Sequence, residues 1–153
     1  MKKLPVLLAL LAATSFACGS ESETEADHGH QHGGGGEHDH YTPGMQRLTE
    51  DGLYEVTLYS DPGPPEMGLN VFTLGLADAA GAPVTGATVT VVPFMTAHGH
   101  GSDRDPVVTE EVDSPGTYTA TDVSLTMLGV WDLEIGVDGA EGSDVVHFRF
   151  DVQ

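Results

Sequence analysis

Beyond about residue 52 the chain is a succession of short apolar alternations, each closed off by turn residues, with no convincing helical period anywhere. The runs are Leu53–Tyr59, Leu69–Ala77, Ala87–Val92, Val107–Val112, Thr117–Val123, Val130–Val137 and Val145–Val152. They are rich in the β-branched and aromatic residues that suit a pleated, half-buried surface. Asp78-Ala79-Ala80-Gly81, Asp113-Ser114-Pro115-Gly116 and Asp138-Gly139 supply tight reversals between them. A strand with one apolar face needs a second layer to bury it. Seven such strands in about 100 residues therefore predict an all-β fold, a seven-stranded antiparallel immunoglobulin-like β-sandwich.

The alternation also assigns faces. Ala87, Val89 and Val91 share one side of their run, and Thr88, Thr90 and Val92 the other. In the last run Val146, Phe148, Phe150 and Val152 are expected inward, with His147, Arg149 and Asp151 outward. His147 thus reads as an exposed strand histidine rather than a metal ligand. Trp131 is expected in the core, and Tyr118, after Ser-Pro-Gly, is placed to bond its hydroxyl to backbone as a tyrosine corner.

The N-terminal residues have a different character. Lys2 and Lys3 precede a short apolar stretch from Leu4 to Ala13, which reads as an export signal and is too short to span a bilayer as a helix. Ser15-Phe16-Ala17-Cys18 resembles a bacterial lipoprotein box, with serine where leucine is commoner; ordinary secretion at a small-x-Ala site is the alternative. The lipoprotein reading is preferred because the chain's one cysteine, Cys18, falls at this spot and a polar segment follows. An unlipidated lone thiol would be a liability in an oxidising compartment. The expected layout is a signal peptide over 1–17, a disordered His-, Gly- and acid-rich tether over 18–51, and the β-sandwich over 52–153. The protein would be exported and membrane-anchored, periplasmic or associated with an outer membrane.

Removing Lys2 and Lys3 with the signal leaves 3 basic residues against 24 acidic ones, a net charge of −21. That argues against nucleic acid and against adsorption to an anionic membrane surface, so membrane contact is through the lipid anchor alone. The tether carries His28, His30, His32, His38 and His40 among Asp27, Glu37 and Asp39. Having almost no apolar residues, it cannot offset its ordering entropy. Its histidines suit weak capture of zinc, nickel or copper, or else stand in a solvated spacer.

Chemistry concentrates in Pro93–Gly101, PFMTAHGHG, which puts Met95, His98 and His100 within six residues; Met127 precedes a later run. Thioether and imidazole together suit copper, and Cu(I) above all, better than cations that want oxygen. Strands of an antiparallel sandwich reverse direction in turn, so this loop, Met127 and Met67 are expected at one end. On the residues alone two readings stand level: a soft-metal site, or methionines that cap the core beside a decorated polar loop.

The segments GLNVFTLGLADAAGAPVTGATVTVVPFMTAHGHG, SPGTYTATDV and MLGVWDLEIGV resemble the YtkA-like family, related to FixH-type proteins, over Gly68 to Val152. The resemblance implies a small exported or membrane-tethered β-sandwich linked to copper handling, with metal positions at Met95, His98, His100 and Met127. Family members often carry proline after the loop methionine, where this chain has Thr96. No activated nucleophile is visible, and the domain lacks the internal cysteine of a blue-copper site, so no enzymatic activity is expected. The leading expectation is a copper chaperone or sequestration protein serving a respiratory oxidase assembly factor or a copper exporter. The alternatives are a scaffold or adhesion module that binds no metal, and zinc or nickel capture by the tether.

Overall fold

The computed structural model describes residues 38–153. The signal peptide, Cys18, and His28, His30 and His32 lie outside the described residues. The strands are β1 (Met45–Leu48), β2 (Tyr54–Asp61), β3 (Gly68–Asp78), β4 (Thr88–Met95), β5 (His100–Gly101), β6 (Val107–Glu110), β7 (Thr117–Leu125), β8 (Gly129–Gly139) and β9 (Gly142–Val152). They form two antiparallel sheets, β1-β2-β3-β7-β6 and β5-β4-β8-β9. The all-β sandwich is as expected, with nine strands among the described residues rather than seven. All seven expected runs are present. The additions, β1 and β5, have no alternating apolar face and owe their form to backbone pairing with β2 and β4.

The inner faces are those that the alternation assigned. Val89 and Val91 are buried, as are Val146, Phe148, Phe150 and Val152, while Thr88, Thr90, Val92, Arg149 and Asp151 are exposed. Tyr54, Leu58, Phe72, Tyr118, Trp131 and Ile135 complete the centre of a core shared by both sheets. Burial of such large side chains on both inner faces is the main stabilising term of a sandwich. The Tyr118 hydroxyl accepts from the Ala87 N–H (3.1 Å) and donates to the Val84 carbonyl (3.1 Å), a tie across more than thirty residues of sequence. Burial pushes its phenol above the ordinary value.

Strand parity survives the two extra strands. β5 runs antiparallel to β4, β6 runs antiparallel to β7, and β7 passes directly into β8, which is antiparallel to β4. β5 and β6 therefore run the same way, as one traverse broken where the chain crosses between sheets. The β4–β5 turn, the β7–β8 connection and the start of β3, paired at Gly68 with Leu125, all lie at one end.

Residues 38–51, expected within the disordered tether, lie against the sandwich. Asp39 bridges Phe150 in parallel, its N–H donating to the Arg149 carbonyl at 2.6 Å. The Tyr41 hydroxyl accepts from the Ser60 N–H at 2.7 Å, and its ring meets Phe150 edge-on at 5.9 Å. Low apolar content concealed this, because the segment is held by polar contacts and by only two side chains, Tyr41 and Met45, packed against the core.

A further tie joins the turn before β2 to the start of β9. Asp144 accepts from the backbone N–H groups of Asp51 (3.2 Å), Leu53 (3.2 Å) and Val145 (2.8 Å). Desolvation acts to raise its carboxyl, but bonds from the Thr49 hydroxyl and these N–H groups outweigh it and hold the carboxyl below the usual value of 3.8. A carboxyl depressed on folding stabilises the fold above its unfolded value, and that contribution is lost as pH falls through the folded one. Asp144→Asn is expected to melt below wild type at neutral pH, with the gap closing as pH drops below about 3.8. Melting curves over that range check this, and a gap independent of pH would rule out the ionic contribution.

Candidate metal centre

The last inward residue of β4 is Met95, 1% exposed, at the end of a strict exposed–buried alternation. Its carbonyl accepts from the N–H groups of His98 (3.2 Å) and Gly99 (2.9 Å), which closes the turn. Gly99 has φ +67°, a conformation that glycine adopts without the Cβ penalty. The chain then returns as β5, with His100 directly opposite Met95. Opposed residues of an antiparallel pair project from the same face, so the imidazole is carried on the side where Met95 is buried.

From the β7–β8 connection comes Met127, 39% exposed, whose sulfur lies 3.2 Å from His100 Nε2. The Trp131 Nε1–H donates to the Met127 carbonyl at 2.9 Å and fixes that connection from below. Trp131 is itself buried, and the His100 ring meets it edge to face at 5.8 Å. A Cβ built on Gly129 would come within 3.6 Å of the Met95 methyl, so Met95 reaches the same connection from the core side. His98 is exposed on the turn, its ring centre 6.1 Å from that of His100. The four residues singled out by sequence share one end of the sandwich: His100 and Met127 are in contact, Met95 is buried opposite His100 in the register, and His98 stands exposed on the turn. Met67 stands at the same end, 57% exposed, next to the first residue of β3.

Both ring nitrogens of His100 face acceptors: Nδ1 is 3.0 Å from the Gly101 carbonyl and Nε2 is 3.2 Å from the Met127 sulfur. The carbonyl contact fixes the orientation of the ring and leaves Nε2 beside the thioether, two atoms of types that ligate a soft ion. The sequence contained no signal for the Gly101 carbonyl's part in this.

Among the described residues no three His, Cys, Asp or Glu side chains gather as a cation site. The donors at this end are thioether and imidazole, a set that favours a soft ion. His147, read as an exposed strand residue, is half-buried on the outer face, its Nδ1 2.9 Å from Asp132 Oδ1 and its Nε2 3.9 Å from Glu50. It stands away from the methionine group, as that reading placed it, but paired with carboxylates.

The YtkA-like family model matches residues 49–136, more than half of the chain. A comparison with curated proteins finds no match. Among solved structures, the chain is similar to a copper-bound variant of FetP from uropathogenic Escherichia coli, at 9% identity and a TM-score of 0.49, covering 74% of this chain and 92% of that one. A likeness of that size carries no argument about the site.

Trp131 is the structural support of the group. Trp131→Phe deletes the N–H that holds the Met127 carbonyl and leaves a gap behind His100. We expect a loss of about 2 kcal/mol from the missing bond and contacts together, read from the denaturant midpoint. A loss under about 0.5 kcal/mol, the size of an ordinary surface change, would show that this support is unimportant.

Proposed function

Because the chain belongs to the YtkA-like family, we propose that it is an exported copper-binding lipoprotein that holds Cu(I) through Met95, His98, His100 and Met127, and catalyses no reaction. It would be tethered through Cys18 at the periplasmic or outer-membrane surface. Its role would be to pass copper to a respiratory oxidase assembly factor or a copper exporter, or to sequester it.

The observation that carries this reading is the pairing of His100 Nε2 with the Met127 sulfur at 3.2 Å, with the ring's other nitrogen tied to Gly101. Thioether and neutral imidazole select Cu(I) over Cu(II), which prefers a tetragonal field of nitrogen and oxygen, and over zinc. The buried Met95 supplies a second sulfur on the core side, and the exposure of His98 and Met127 leaves a route for exchange. Cu(I) bears a single charge, so neutral donors hold it without needing a carboxylate. The acidic surface adds general attraction for cations but no selectivity.

The test is a Cu(I) titration of the mature protein against a competing chelator. Met95→Leu and Met127→Leu are each expected to weaken binding tenfold or more, with the apo folds intact by circular dichroism. Unchanged affinity in both variants would remove the site. Trp131, the one tryptophan of the chain, is a built-in reporter. With His100 5.8 Å from its ring, Cu(I) is expected to change its fluorescence in step with the titration. Copper should also raise the melting temperature, since a ligand that binds only the native state must stabilise it. If it does not, the alternative of a metal-independent interaction module gains ground.

A further inference from the structure

The anchored segment before β1 carries two imidazoles to the same end of the sandwich. Asp39 is pinned three ways: its N–H donates to the Arg149 carbonyl, its carboxylate accepts from the Arg149 N–H at 3.2 Å, and it pairs with the Arg47 guanidinium. Tyr41 is held by Ser60 and Phe150. These alternate residues grip the sandwich, which leaves His38 and His40 exposed, with ring centres 5.9 Å apart. Two imidazoles that ligate one ion through nitrogens 2.0–2.1 Å from it have ring centres at most roughly 6.5 Å apart. The pair is therefore close enough to share a single ion once the rings, now edge to face at 68°, turn their nitrogens towards each other.

The surroundings set the kind of ion. His38 and His40 line a hollow of about 410 Å³ together with Glu66, Asp151 and Gln153. Every donor there is nitrogen or oxygen. That contrasts with the thioether group at the β4–β5 turn and matches what Cu(II) requires. Position adds to this. Glu66 belongs to the β2–β3 connection and is followed by Met67, at the end where the β7–β8 connection presents Met127.

We propose that His38 and His40 form a second, distinct metal site, a two-imidazole site for Cu(II) completed by water. The site goes beyond the Cu(I) reading. Asp39 is a positioning residue, because its bonds fix the segment and hence the spacing of the two rings. The flanking carboxylates of Glu66 and Asp151 supply negative charge to a divalent ion that neutral thioethers do not.

The experiment uses the full mature chain with His28, His30 and His32 all changed to Asn, so that Cu(II) taken up elsewhere along the tether does not obscure the result. Cu(II) is added and followed by electron paramagnetic resonance and calorimetry, while Cu(I) affinity is measured separately by chelator competition. One equivalent of Cu(II) with two-nitrogen coupling is expected in this background. His38→Asn or His40→Asn should each weaken it at least tenfold, and Asp39→Ala should weaken it while leaving both imidazoles in place. The Met127→Leu variant should bind Cu(II) as before. Absence of Cu(II) binding in the triple variant, or binding unmoved by His38→Asn and His40→Asn, would overturn the proposal whatever happens to Cu(I). Loss of Cu(I) binding alone would bear only on the methionine site. His38 and His40 are exposed, so their substitution is not expected to lower the melting temperature.

Discussion

Thr88 stands opposite Asp138 and Phe94 opposite Asp132, and that register between β4 and β8 governs the whole end of the sandwich. Side chains alternate with a period of two, so a slip of one residue would turn Met95 to solvent and drive Phe94 into the core. The register holds because both sides of the pair are over-determined. β4 buries Val89, Val91 and Met95, and β8 buries Trp131, Leu133, Ile135 and Val137. β8 is locked again on its other side by the long ladder to β9, where Phe148 and Phe150 face inward. Once these choices are made, His100 has one place to go, since the turn at Gly99 returns it opposite Met95. The position of the soft donors is thus inherited from apolar packing some distance away.

The sequence was informative wherever burial dictates pattern. Period-two alternation located every long strand and the inward face of β4 and β9, because a half-buried strand admits few other arrangements. It also placed the methionines at one end, and that survived two uncounted strands for a physical reason: β5 and β6 form one traverse divided between sheets. What it missed has no apolar signature. β1 reads Met-Gln-Arg-Leu and is held by ladder bonds to β2. The segment of His38, Asp39 and His40 is docked by contacts of Asp39 with Arg47 and Arg149 and of Tyr41 with Phe150, between residues 8 to 110 positions apart that local pattern cannot reveal. The convergence of Met127 on His100 was foreseeable as proximity. The ring orientation that sets Nε2 against the sulfur depends on one carbonyl, and no residue type encodes that.

Electrostatics divide the molecule in an instructive way. Each of its three arginines is engaged: Arg47 with Asp39, Arg149 with Asp132 at 2.9 Å, and Arg104 with Asp122 at 3.3 Å. Exposed pairs of this kind contribute about 0–1 kcal/mol each, less in salt. Their importance is in placement, because Arg47 ties the N-terminal segment to β1 through Asp39 and Arg149 ties β9 to β8 through Asp132. The remaining acidic residues are largely uncompensated, which keeps copies apart and favours cationic ligands over anionic ones.

β5 has only two residues and holds to β4 through the pairs Phe94–Gly101 and Met95–His100, whereas seven pairs join β4 to β8. Detaching that short flap would break few backbone bonds and leave both sheets whole. Amide protection should accordingly fall away at His98 to Ser102 long before it does in β8. The rate at which the end of the sandwich opens is then set by a local event and not by the stability of the domain. The two sheets can in this way stay closed while the end of the sandwich opens quickly.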